Sequence, residues 1–179
     1  IGTMYFNYYT EANGSYSDGA RAKQAFPFFE ANFNSSADYE HKTISDCFYW
    51  VCYFYNTYLL DSSAGKLNVD EADKSNYEQL FTEISSRINS IQEEGPYNKL
   101  TLYSVVFNML YMERKNMAQL GVSETQVLNL FDDVYNRAMA LNPNKSQAQA
   151  LQNEMRSNYS VYRAAIETAY TTQERSGEN

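Results

Sequence analysis

Apolar residues recur along this chain at intervals of three and four, and short polar or glycine-containing breaks divide them into seven stretches, so the predicted elements are helices. A first helix runs from Ile1 to about Thr10 and ends in Glu11-Ala-Asn-Gly-Ser15, where Asn13-Gly14 tolerates positive φ. A second starts at Ser17 or Asp18, both good N-caps, with Ala22, Ala25, Phe29 and Phe33 at helical spacing. Pro27 removes a backbone bond inside it and predicts a kink or a restart. After Asn34-Ser-Ser36, a third helix extends from about Asp38 to Leu60. Ile44, Phe48, Val51, Cys52, Tyr55 and Leu59 form its strongest face, and Trp50, Tyr53 and Phe54 add another, which predicts packing on two sides.

The loop Asp61-Ser-Ser-Ala-Gly-Lys66 leads to a fourth helix, from about Asp70 through Ile91, with Tyr77, Leu80, Phe81, Ile84, Ile88 and Ile91 on one face and Glu94-Gly95-Pro96 as the stop. Leu100 to Leu120 reads as a fifth helix, closed by Gly121 at C′. Ser123 and Gln126 form a capping box for the sixth, whose Val127, Leu130, Phe131, Val134, Tyr135, Ala138 and Leu141 share a face up to Asn142-Pro143. A seventh, from about Ser146 to Thr171, carries Leu151, Met155, Tyr159, Tyr162, Ile166 and Tyr170. One all-α domain over residues 1–172 is expected, with a polar, frayed tail over 173–179.

Composition sharpens this picture. Seven glycines and three prolines are too few for a chain of many tight β-turns, whereas 17 tyrosines favour helices packed through rings. A formal net charge of −8, with no run of Lys or Arg longer than two, disfavours nucleic acid and anionic lipid and favours a neutral or basic partner. The apolar run from Cys47 to Leu60 is too short and too rich in tyrosine to span a bilayer, so no direct membrane insertion is expected. Cys47 and Cys52 point about 140° apart on one helix and read as buried small hydrophobes, not a disulfide or reactive thiols. The chain opens in mid-pattern at Ile1, which predicts a piece of a longer protein.

Three frames of large and small residues share one spacing. Phe48-x-x-Val51-Cys52-x-x-Tyr55 is the clearest, Ile1-Gly2-x-x-Tyr5 is shortened, and Tyr103-x-x-Val106-Phe107-x-x-Leu110 is a third copy. They resemble the first helix of the tetratricopeptide repeat. Phe131-x-x-x-Tyr135-x-x-Ala138 followed by Pro143 resembles the second, with Ala25-x-x-x-Phe29 and Tyr77-x-x-x-Phe81-x-x-Ile84 as looser copies. The resemblance implies a right-handed α-α superhelix of about three antiparallel helix pairs with a C-terminal capping helix. Its repeats are lengthened, since Gly2 to Cys52 is 50 residues and Cys52 to Phe107 is 55, against 34 in the family.

A narrower resemblance rests on the Tyr-rich opening and third helices, Ala25-Phe26-Pro27-Phe28-Phe29, Glu113-Arg114-Lys115-Asn116-Met117 and Asn158-Tyr159-Ser160-x-Tyr162. Together they look like the repeat-containing segments that follow a membrane span in serine/threonine protein kinases of Firmicutes. That likeness implies an extracytoplasmic sensing or assembly region on a bacterial membrane, without kinase chemistry of its own.

Catalytic patterns fail on inspection. Ser63-Ala-Gly65-Lys66-Leu67 resembles a phosphate loop, but Leu60 and Leu67 stand where that loop needs a glycine and a hydroxyl. Asp70, Glu71 and Asp73 lack the glycine and the bidentate Glu of a calcium loop and read as a charged first helical turn. His41 is the single histidine, so it cannot supply a zinc set, and Glu93-Glu94 and Asp132-Asp133 point to different sides of a helix. No catalytic residue, cofactor or metal is expected.

The expected function is a non-catalytic scaffold that binds protein or peptide. The alternative is an extracytoplasmic sensor for a small molecule or cell-wall glycan. Taking Gly2, Cys52 and Phe107 as equivalent places Asn7, Tyr49, Tyr53, Asn56, Asn108, Tyr111 and Met112 on the concave side that first helices line in such repeats. Asparagine amides can pair with an extended peptide backbone, and tyrosine offers an apolar face with a polar tip. The family's acidic-tail clamp uses Lys, Arg and Asn at such positions, and Asn108 is the one match, so an acidic tail is not the expected ligand.

Overall fold

In a computed structural model the described residues are 18–36, 41–58, 69–91 and 95–177. Among them the chain forms seven helices and no strand: α1 (Asp18–Phe33), α2 (Lys42–Tyr58), α3 (Glu71–Ile88), α4 (Pro96–Met112), α5 (Arg114–Gln119), α6 (Glu124–Ala140) and α7 (Ser146–Gly177). The expected helix over residues 1–10, with its Ile1-Gly2-x-x-Tyr5 frame and Asn7, lies outside the described residues.

Local signals explain most of the helix ends. Asp70 accepts from the Ala72 and Asp73 amides at 3.0 and 3.3 Å, and the Asp73 carboxylate accepts from the Asp70 amide at 2.9 Å, a reciprocal box that starts α3. Pro96 opens α4 four residues before the expected Leu100, because a proline at N1 gives up only an amide that has no helical partner. Gly121 adopts φ 67° after α5; its amide donates to Ala118 O and that of Val122 to Met117 O, at 3.1 and 3.0 Å, which completes a Schellman cap. Ser123 accepts from the Gln126 amide at 3.3 Å and starts α6.

Two expectations about continuity need correction. Of the kink or restart expected at Pro27, the restart does not occur: α1 is one helix through the proline, with Ala25 and Phe29 on the opposite side fully buried while the proline stays exposed. Conversely, the single fifth helix is two. Glu113, at φ −90° and ψ 4°, separates α4 from α5, and its carboxylate points into the interior.

α2 and α3 run antiparallel, as do α6 and α7, since partner numbers rise on one helix as they fall on the other. Between α2 and α3, Tyr58 meets Asp73 and Phe54 meets Tyr77; between α6 and α7, Ala138 meets Gln152 and Asp132 meets Arg163. α2 and α3 form one packed pair, and α4 and α6 form the next. α2 also packs on α4 and α3 on α6, first helix against first and second against second, while α7 covers both α4 and α6. This all-α arrangement is compatible with a helical repeat.

Rings fill the interfaces. Phe48, Val51, Cys52 and Tyr55 are at most 1% exposed, and Tyr103, Val106, Phe107 and Leu110 are buried as well, so the shared spacing marks helix contacts. Phe29 stacks on Phe48 at 5.2 Å and Phe107 on Phe131 at 4.5 Å, tying neighbouring helices together. Each fully buried ring of this kind contributes about 2–3 kcal/mol of apolar transfer.

Candidate functional site

The residues expected on the concave side fall into two ring clusters. Tyr49 lies against α1, stacked on Phe33 at 4.1 Å and on Phe26 at 5.8 Å, and is half-buried. Tyr53, one turn further along α2 and 6.4 Å from Tyr49, is 36% exposed and presents the open edge of that cluster. Asn56 is half-buried, and its amide donates to the Cys52 carbonyl of its own helix at 2.8 Å.

Tyr111 belongs to the second cluster. It stacks on Tyr162 of α7 at 3.7 Å, nearly parallel, with the Arg114 guanidinium 4.2 Å from its ring centre. Tyr162 also meets Phe107, and Tyr135 stacks on Tyr159 at 3.9 Å, so α4, α6 and α7 are joined through rings. Asn108 and Met112 are half-buried on α4, Met112 against the core. The structure thus brings Tyr49 and Tyr53 together and places Tyr111 in a separate ring group. In Tyr49 and Tyr111 at least one ring face is committed to a neighbouring helix.

Among the described residues, Cys47, Cys52, Tyr58, Tyr77 and Glu113 are held inside. Cys47 and Cys52 are fully buried and form no disulfide, and burial pushes the Cys47 thiol up to about 12, so it carries no thiolate at neutral pH. Glu113 is 2% exposed and accepts from the Tyr77 hydroxyl at 2.6 Å and from the Asn116 amide at 2.8 Å. Burial raises its carboxyl above the ordinary range, while these two donors pull it back down. Burial beside that carboxylate keeps the Tyr77 phenol neutral. Nearby, Tyr58 donates to Asp73 at 3.1 Å and accepts from Asn76 at 3.0 Å, and burial pushes its phenol up to about 12. These are sealed polar links between helices. His41 is exposed before α2, and Asp132 and Asp133 diverge, Asp132 to Arg163 and Asp133 to Arg137.

The described residues also border two surface clefts. One, of about 620 Å³ between α3 and α6, is bordered by Ser85, Asn89, Ser123, Thr125, Gln126 and Asn129, with the Asp133–Arg137 ion pair at one side. The other, of about 600 Å³ between α5 and α7, is bordered by Arg114, Lys115 and Gln119 on one wall and by Ala165, Thr168, Ala169, Thr172 and Gln173 on the other. Neither cleft follows from the sequence reading, although Glu113-Arg114-Lys115, a charged run between apolar stretches, was the available signal for the second. Compared with known proteins, the chain matches no family model, no curated protein and no solved structure.

Proposed function

We propose that this chain is a non-catalytic scaffold domain of a larger protein, a tetratricopeptide-like right-handed superhelix with lengthened repeats that binds a neutral or basic protein or peptide. The context implied by the narrower sequence resemblance is the extracellular region of a bacterial membrane serine/threonine kinase. The observation that carries the reading is the contact order, α2 on α4 and α3 on α6, because stacking like on like lays first helices side by side as a recognition surface. Tyr53 is the residue of the expected set with the most accessible ring, and the acidic balance of −8 favours a neutral or basic ligand.

The test is capture of neutral and basic peptides by the immobilised domain, repeated with Tyr53→Ala and with Asn108→Ala. A loss of at least about fivefold for Tyr53→Ala, roughly the 1 kcal/mol of a significant interface side chain, with an unchanged circular dichroism spectrum, supports the surface. Unchanged binding in both variants removes it. Micromolar affinity for a peptide with an acidic tail overturns the ligand class.

A further inference from the structure

The α5–α7 cleft has a charge character opposite to that of the whole chain. Acidic residues outnumber basic ones 22 to 14, yet the described residues bordering this cleft include two cations and no carboxylate. Arg114 is held in place: its guanidinium donates to the Tyr111 carbonyl at 2.7 Å and lies over the Tyr111 ring at 4.2 Å. Tyr111 is itself fixed by stacking on Tyr162, so the planar fork is presented by a rigid support. Lys115 follows it on the same short helix and is exposed. The facing wall alternates apolar and hydroxyl groups, Ala165 and Ala169 with Thr168 and Thr172, and the volume of about 600 Å³ is that of a small-ligand site.

From these features we infer that the α5–α7 cleft binds a small organic anion, one carrying a carboxylate or phosphate group. Arg114 meets the anion with a forked pair of donors, Lys115 adds a mobile charge at the rim, and the alanines on α7 cover the carbon skeleton. The carboxylate of Glu113, next to Arg114 in sequence, does not compete, because it is buried and accepts from Tyr77 and Asn116. Tyr111 is shared with the peptide surface proposed above, here only as the support of Arg114; the peptide test rests on Tyr53 and Asn108 and this one on Arg114 and Lys115, so either can fail without the other.

The test is a titration of the isotope-labelled chain with succinate and, separately, with inorganic phosphate at constant ionic strength, read as amide shifts by NMR. Saturable shifts confined to α5 and to residues 165–173 are expected, with a dissociation constant on the order of millimolar for such compact anions. The stronger of the two probes identifies the headgroup. Lys115→Gln, an exposed change that leaves the fold intact, should weaken binding about threefold, in line with one rim charge. Arg114→Gln should weaken it by roughly tenfold, the loss of a charge-assisted pair. Shifts that never saturate, that spread over every Lys and Arg, or that are identical in the wild type and Lys115→Gln overturn the inference.

Discussion

Glu113 is an acid in an aromatic interior, and its surroundings set the sign of its effect on stability. Burial raises its pKa in the folded chain above the value of the unfolded one, so the fold holds the proton to higher pH than the unfolded state does. Stability from this group is therefore fully present below the unfolded carboxylate pKa and declines as pH rises through the folded value. Glu113→Gln keeps an acceptor for Tyr77 and removes the titration. Urea unfolding midpoints of the variant should gain on those of the wild type as pH is raised from 4 to 7, and a gap independent of pH would contradict the burial effect. Tyr77→Phe removes a buried donor from Glu113 and should cost about 1–3 kcal/mol by the same measurement. Neither effect was legible in the sequence, since Tyr77 and Glu113 are 36 residues apart and nothing local pairs them. The same gap separates the two readings of the tyrosines. Spacing gave the helix face of Tyr49 and Tyr111, but only the positions of Phe33 and Tyr162 show that their rings are engaged.

At the scale of elements, local rules account for the helix ends and nonlocal packing for the exceptions. Gly121 was readable as a C′ residue because the apolar period stops just before it, and its φ of 67° follows from the Schellman geometry. A Cβ at this position meets nothing nearer than Lys74 Nζ at 3.9 Å, so strain from the left-handed backbone is the main cost of Gly121→Ala, about 1–2 kcal/mol in thermal or urea unfolding. Pro27 is the opposite case. The sequence predicts a kink or a restart, and the restart is absent: Phe29 stacked on Phe48 and buried Ala25 hold α1 continuous across it. Pro27→Ala restores an amide to an otherwise intact helix. It should therefore stabilise the chain by about 2–2.5 kcal/mol, the interior proline penalty of about 3 kcal/mol less the roughly 0.4–1 kcal/mol of entropy that proline removes from the unfolded chain. Destabilisation by that substitution would mean the proline ring makes a packing contribution its exposure does not reveal.

For the whole molecule, the all-helical class and the pairing of neighbouring helices could be read from periodicity, because a three–four repeat and short breaks leave few other solutions. The stacking of pair on pair could not, since it depends on contacts such as the Tyr55 hydroxyl reaching the Val105 carbonyl, 50 residues away at 3.4 Å. That organisation has a thermodynamic consequence. Among the described helices α1 packs on α2, whereas α4 is enclosed by α2, α6 and α7, and in a one-dimensional stack each unit is stabilised by its own neighbours. Native-state hydrogen exchange should then grade along the chain, with α1 opening at lower free energy than α4 and α6. Phe131→Ala removes the ring between Phe107 and Tyr159 and should cost about 3–5 kcal/mol locally, lowering protection in α4, α6 and α7 while α1 and α2 keep most of theirs. If every slow amide instead reports one common opening energy, and Phe131→Ala lowers all of them equally, the helices unfold as a single globular unit and the repeat-stack reading is wrong.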